Sequence, residues 1–335
     1  MSKARNLSLL SAVEAGATAD QTKADIDALG INGVNKNWII NGDFQVSQRG
    51  AFTSATALTT SSVFHLDRFK SKHNNISGTL THKLAQTVDG KVTNTMLLTA
   101  TAGSNGRVEG VQRIEATQPF VSQTITFSAW VKSNSASSRI IIHQNGANIQ
   151  TSSNQHTGGG AFELLKGTVT CAANSGDLYL YAGIQAAGTG NVAIANGHYF
   201  EMAFVQVEHG SVATDFEHRI YGEELALCQR YYYKIGGLAV NQPICNISVW
   251  SGSDNYGVID FPHEMRAAPT VTIAGATSYT LLVDAVTATS TSLVIQGITK
   301  QSCELLIRRS GVFGGGKSGW VRGTTATITK FDAEL

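Results

Sequence analysis

Thr124-Ile125-Thr126-Phe127-Ser128-Ala129-Trp130-Val131 is the stretch on which the fold turns. Ile125, Phe127, Ala129 and Val131 occupy every second position, and Trp130 falls on the other parity. Successive side chains of a β-strand point to opposite faces, so the pattern predicts a strand with one face on a core and the other in a second environment. Working outward, similar short stretches over 63–72, 78–86, 95–101, 108–115, 139–144, 161–171, 178–184 and 198–208 read as strands. Gly, Asn and Ser clusters separate them, and the Asn-Gly pairs at 145–146 and 196–197 are turn chemistry. Many short strands at this spacing predict a β-sandwich over residues 37–220.

The flanks differ. Residues 1–36 carry one short amphipathic stretch from Asp20 to Leu29, with Ile26 and Leu29 as its apolar stripe. So short a helix is marginal alone, and the segment is expected to serve as an adaptor that docks on another protein. Residues 221–237 read as one linking helix, with Glu223 and Glu224 at its start and Leu225, Cys228 and Tyr232 on one stripe. From 238 to 335 the pattern returns to strands, which predicts a smaller distal β-domain. The fold class is therefore mainly β.

Charge excludes several functions. Lys and Arg total 25 against 24 Asp and Glu, so there is no single-signed field for nucleic acid or an anionic membrane. No apolar run approaches the ~20 residues of a spanning helix, and the polar residues Asn6, Ser8 and Ser11 argue against a secretory signal. Cys171, Cys228, Cys245 and Cys303 lack a C-x-x-C spacing and read as free thiols in a reducing compartment.

For catalysis the sequence offers no G-x-S-x-G, no H-E-x-x-H and no His in a nucleophile or metal spacing, so a non-enzymatic protein is expected. The carboxylate pairs Asp43 with Asp67 and Glu201 with Glu208 read as structural. Asp43 and Asp67-Arg68 are expected to tie strands together, with Arg49 or Arg219 as partners for Glu208 or Glu217.

Asn41-Gly42-Asp43-Phe44, followed by Gln48-Arg49-Gly50 and Asp67-Arg68-Phe69, resembles the opening of jelly-roll carbohydrate-binding modules. It is more similar still to the central domain of bacteriophage tail-fibre and receptor-binding proteins. The resemblance continues through Val207-Glu208-His209-Gly210-Ser211 and Asp215-Phe216-Glu217-His218-Arg219, then Glu223-Glu224-Leu225-Ala226-Leu227-Cys228-Gln229-Arg230-Tyr231-Tyr232. Phe261-Pro262-His263-Glu264-Met265-Arg266 and the terminal Asp332-Ala333-Glu334-Leu335 extend it, so that it covers about residues 37–335. It implies a virion protein of the tail, assembled in the host cytoplasm, contacting host-surface glycan as a homotrimer and other virion proteins through residues 1–36. A capsid-decorating or tail-bridging structural protein is the alternative. In the carbohydrate modules an acid two positions after the glycine-aspartate helps hold calcium; Gln45 stands there in this chain, which leaves a structural calcium in doubt.

Sugar recognition needs aromatic platforms beside amides and acids, because sugar rings present apolar C–H faces and a rim of hydroxyls. Trp38, Trp130, Trp250, Trp320, Tyr179, Tyr181, Tyr199 and Tyr256 are the available rings. Two clusters are expected. Tyr179 and Tyr181 share one strand face, with Gln144, Asn145, Asp177 and Gln185 as polar partners. Trp250 with Asp254, Asn255 and Tyr256 forms the other.

Overall fold

The computed structural model describes residues 36–115, 118–174, 176–236, 241–273, 275, 278–323 and 328–334. The adaptor segment, save Lys36, lies outside them. The described residues divide into two units, one of residues 36–44, 52–63 and 69–218, the other of residues 45–51, 64–68 and 219–334. Two short stretches of the first β-region, residues 45–51 and 64–68, belong to the second unit.

In the first unit one sheet runs β1 (Thr56–Ala57), β4 (Gly78–Val88), β5 (Lys91–Ala100), β13 (Tyr199–His209), β7 (Thr124–Ser133) and β10 (Phe162–Thr170). A second sheet runs β3 (Phe69–Asn74), β6 (Ser104–Ile114), β11 (Leu178–Ile184), β8 (Ser138–Gln144) and β9 (Ile149–Ser152), with β12 (Val192–Ile194) also on β6. β2 (Ser62–Leu66) straddles the unit boundary, and a turn at Asp67-Arg68 splits the single strand expected over 63–72. The chain crosses between the two sheets repeatedly, from β3 to β4, β5 to β6, β6 to β7, β7 to β8, β9 to β10, β10 to β11 and β12 to β13, as in a jelly-roll sandwich. Ile125, Phe127, Ala129 and Val131 are fully buried, as are Ile140 and Ile142 of β8 and Leu178 and Leu180 of β11. The sheets meet closely: a Cβ on Gly110 of β6 would sit 2.4 Å from Met202 Cε of β13. Trp130, on the other face of β7, packs against a second small cluster of Val88, Ala203 and Phe204.

The longest stretch of the second unit, from residue 219 on, opens with the helix α1 (Tyr221–Gln229). Glu223 and Glu224 lie in its first turn, where the helix dipole favours them, and Cys228 is buried. The helix is shorter than expected. Tyr232–Gly236 is a strand, β14, paired with β23 (Ile328–Asp332). The carbonyls of Arg230 and Tyr231 accept from the backbone N–H groups of Arg266 and Ala333, at 2.8 Å each, which draws the aromatic run out of the helix and into extended pairing.

β14 and β23 form a three-stranded sheet with β17 (Thr270–Thr272). The other sheet runs β19 (Val286–Thr289), β18 (Tyr279–Val283), β22 (Lys317–Gly323), β15 (Gln242–Val249), β16 (Asp254–Asp260), β21 (Ser302–Arg308) and β20 (Ser292–Gln296). Ile247, Leu281, Leu305, Val321 and Phe331 form the core of this second β-sandwich. No helix among the described residues is long and apolar enough to cross a membrane.

Of the carboxylates expected in pairs, Asp67, Glu201 and Glu208 hold structural hydrogen bonds, Asp67 from Gln48 N at 2.6 Å and Gln48 Nε2 at 2.8 Å. Asp43 and Asp67 fall in different units. Glu201 accepts from Lys83 Nζ at 3.0 Å and Thr95 Oγ1 at 2.7 Å, and Glu208 accepts from Thr214 N and Gln206 Nε2, both at 2.9 Å. Arg49 pairs with Asp332 and Glu334, and Arg219 with Glu224. The Glu217 carboxylate accepts the backbone N–H groups of Lys36 and Asn37. All four cysteines are free.

Candidate functional site

β11 supplies the site because its two faces differ. Leu178, Leu180 and Ala182 point into the sandwich, and alternation therefore turns Tyr179 and Tyr181 to the far side of the sheet. Register brings neighbours to them. Tyr179 stands opposite Arg113 of β6 and His143 of β8, and Tyr181 opposite Val111 and Ile141. The two tyrosine rings lie 6.1 Å apart at 36°, and the His143 ring lies 6.3 Å from Tyr179 and 6.1 Å from Tyr181. Three tilted rings thus make one continuous half-exposed shelf.

The shelf is flanked by charge. Lys72 Nζ is 5.4 Å from the Tyr181 ring centre, and Arg113 Cζ is 5.8 Å from that of Tyr179. Arg113 also pairs with Asp177 at 2.7 Å. One step further along β11, Gly183 stands between Glu109 of β6 and Arg139 of β8. Its missing side chain is required, since a Cβ would sit 2.1 Å from Val108 O and 2.6 Å from Glu109 Cα. Glu109 is fully buried, with Arg107 Nε at 3.3 Å and Lys72 Nζ at 3.8 Å. Burial pushes its carboxyl up to about 7, against the pull of Arg107 and Lys72. Burial lowers His143 below its ordinary value, and nearby Lys72 adds to the effect.

A loop closes the Gly183 end. Thr189 O accepts from Arg107 of β6, while Thr189 Oγ1 lies 3.2 Å from Gln150 Oε1 of β9. β11 and β8 lie between those two strands, so the loop crosses the face of the sheet. The loop thus walls the shelf at its Gly183 end.

Of the expected partners, Gln144 is not on this face. It stands opposite Leu178, is fully buried on the core side, and its Oε1 accepts from Ala172 N at 2.9 Å. Gln185 is also fully buried, just past β11. Asn145 lies in the turn after β8, its backbone N–H bonded to Asp177 O at 2.9 Å. His143, Lys72, Glu109, Arg113 and Arg139 were not among the expected partners, because cross-strand register is what assembles them.

The second expected cluster separates. Trp250 is 78 % exposed in the turn after β15, where its backbone N–H donates to the Asp254 backbone carbonyl at 3.0 Å. The Asp254 carboxylate is taken by Arg308 at 3.1 Å. Tyr256 instead lines a groove of about 840 Å³ with Trp320, Asn246, Ser248, Asp260 and Ser318. Trp320 reaches it because β22 places it opposite Asn246. Among the described residues no group of three or more His, Cys, Asp or Glu gathers where it could hold a metal ion, and Gln45 donates its amide to Arg219 O at 3.1 Å.

No family model matches the chain, and no curated protein does. Among solved structures it is similar to the enzymatically active domain of tailspike protein 4 of bacteriophage CBA120, at 10% identity and TM-score 0.36, over 52% of this chain and 21% of that one. A CBM4 structure gives 13% identity and TM-score 0.29 over 51% of this chain and 98% of that one. A tandem of two CBM22 domains from Paenibacillus barcinonensis Xyn10C gives 11% and 0.30, over 90% and 96%. The chain spans about a fifth of the tailspike structure's length.

Proposed function

We propose that this chain is a non-enzymatic glycan-binding protein, and that it serves in a phage tail as a trimeric receptor-binding component. The observation that carries the glycan reading is the shelf of Tyr179, Tyr181 and His143, whose three rings neighbour one another on the face of β11 turned away from the core. Half-exposed rings side by side offer stacking surface to the C–H faces of consecutive sugars, and the charged groups around them can meet the hydroxyl rim. The rings are not filling a core, since the core of this sheet is on its other face.

The virion and tail assignments are supported by the resemblance of residues 37–335 to tail-fibre proteins. Trimerisation fits the same reading, because weak sugar contacts gain roughly 10²–10⁴ in apparent affinity when several sites engage one surface. The test is an array of bacterial surface polysaccharides probed with the full chain, followed by calorimetry on Tyr179→Ala and Tyr181→Ala. Each substitution is expected to weaken binding about tenfold, or about 1.4 kcal/mol, with the thermal midpoint unchanged. Retention of no glycan, or unchanged affinity in both variants, removes the reading. Release of new reducing ends removes its non-enzymatic part, and a monomer in light scattering at micromolar concentration removes the trimer.

A further inference from the structure

We infer that the ligand of the Tyr179–Tyr181 shelf is an anionic saccharide, one bearing carboxylate or phosphate groups; this rests on the glycan reading above and narrows it. The shelf's charge is the first observation. The strands around it direct Lys70, Lys72, Arg107, Arg113 and Arg139 to this face, and Glu109 is the carboxylate those strands contribute. Asp177, ahead of β11, is already held by Arg113, and Glu115 lies one residue past β6. A chain whose net charge is only +1 has therefore concentrated cations around three aromatic rings.

Arg139 is the second observation, independent of the first. It is only 8 % exposed, and its Nε has no hydrogen-bond partner among the described residues. Among the described residues no carboxylate pairs with it, and burial lowers its pKa. A buried cation without a counter-ion is disfavoured by several kcal/mol relative to a paired one. An anionic group on a bound sugar supplies what the chain does not. The guanidinium's planar fork matches carboxylate and phosphate oxygens two at a time.

The placement is consistent with a chain-like ligand. The rings run towards Gly183, which stands between Glu109 and Arg139 and adds no side chain to the face, and the Thr189 loop walls that end. A saccharide lying over Tyr179 and Tyr181 would bring a charged substituent to the cationic end. Glu109 there favours one anion at a defined position over a polyanion spread across the face, because a second negative group beside it is repelled.

The experiment pairs each acidic polymer with its neutral counterpart on the full chain: polygalacturonate with its carboxyl-reduced form, polysialic acid with its methyl ester, and poly(glycerol phosphate) with dextran. Single-stranded DNA is the general polyanion control. At least one acidic polymer should bind about tenfold more tightly than its counterpart, and the preference should shrink as salt rises to 0.5 M. Which acidic polymer does so distinguishes carboxylate from phosphate. Arg139→Gln should abolish the preference. Should that variant fail to fold, Lys72→Gln at a half-exposed position should lower acidic binding about threefold and leave neutral binding unchanged. Equal binding of acidic and neutral forms overturns the inference while the glycan reading stands. Binding of neither overturns both, and binding of DNA as tight as that of the acidic saccharide overturns the inference in favour of unspecific polyanion attraction.

Discussion

The guanidinium of Arg68 closes on the carboxylate of Glu334 across 266 residues of sequence, with the two side chains 1 % and 3 % exposed. Arg49 reaches the same carboxylate at 3.2 Å and Asp332 at 3.0 Å, and the Arg68 guanidinium lies 3.5 Å from the Tyr231 ring centre. Short stretches from early in the chain are thereby bound to its last residues inside the second unit, which accounts for the interleaved boundary.

Glu334→Gln is expected to destabilise that unit by about 3–5 kcal/mol, because it removes one side of a buried pair and leaves the arginines without this charge. Asp284→Asn removes the exposed pair with Lys317 and should change stability by no more than about 0.5 kcal/mol. Urea unfolding of the two variants checks the contrast; equal effects would mean the buried cluster carries no special weight.

Gly183→Ala should cost about 1–3 kcal/mol or more, because its Cβ would press on Val108 O and Glu109 Cα, backbone atoms that cannot rotate aside. Gly222→Ala, in the first turn of α1 with nothing within 4 Å, should instead gain about 0.5 kcal/mol. Thermal melts that moved in the same direction for both would contradict the packing described at Gly183.

What the sequence made legible was local. The alternation of 124–131 correctly assigns Ile125, Phe127, Ala129 and Val131 to the core, and the same period places Tyr179 and Tyr181 on one face. What it hid was non-local. Tyr232 continues a helical stripe from Leu225 and Cys228, yet it pairs with Asp332, about a hundred residues on, and nothing in the local pattern reveals that partner. Gln144 and His143 are adjacent in sequence and opposite in role; only register with β11 shows which of them meets the tyrosines. Trp250 and Trp320 exchange expected roles for the same reason, since β22 brings Trp320 beside Asn246 while Trp250 falls in a turn.

His143 should titrate below its ordinary value of 6.5, from burial first and from Lys72 second. Its neutral form is favoured by the fold, so its contribution to stability is present above pH 6.5 and is lost as pH falls through the lowered folded value. Lys72→Gln should raise its midpoint without restoring it fully, because burial remains. An NMR titration of the ring protons reads both, and a midpoint at or above 6.5 in the native chain would contradict the geometry of the shelf.

Glu109 provides the opposite sign. Burial raises its carboxyl from 4.5 to about 7, so between those values the folded chain holds a proton that the unfolded chain has released. Stability from this group is therefore full below about pH 4.5, falls as pH rises, and is lost above about 7. Asp67, raised to about 6 by burial in the second unit, acts in the same direction, so the slope of the native chain alone does not identify Glu109. The difference between native chain and Glu109→Gln does. The variant cannot ionise, and its stability relative to the native chain should improve steadily from pH 5 to pH 8, with most of the change complete near pH 7. Denaturation at constant salt across that range measures it. A difference independent of pH would show that Glu109 is already ionised at pH 5, held by Arg107 and Lys72 more strongly than burial opposes it.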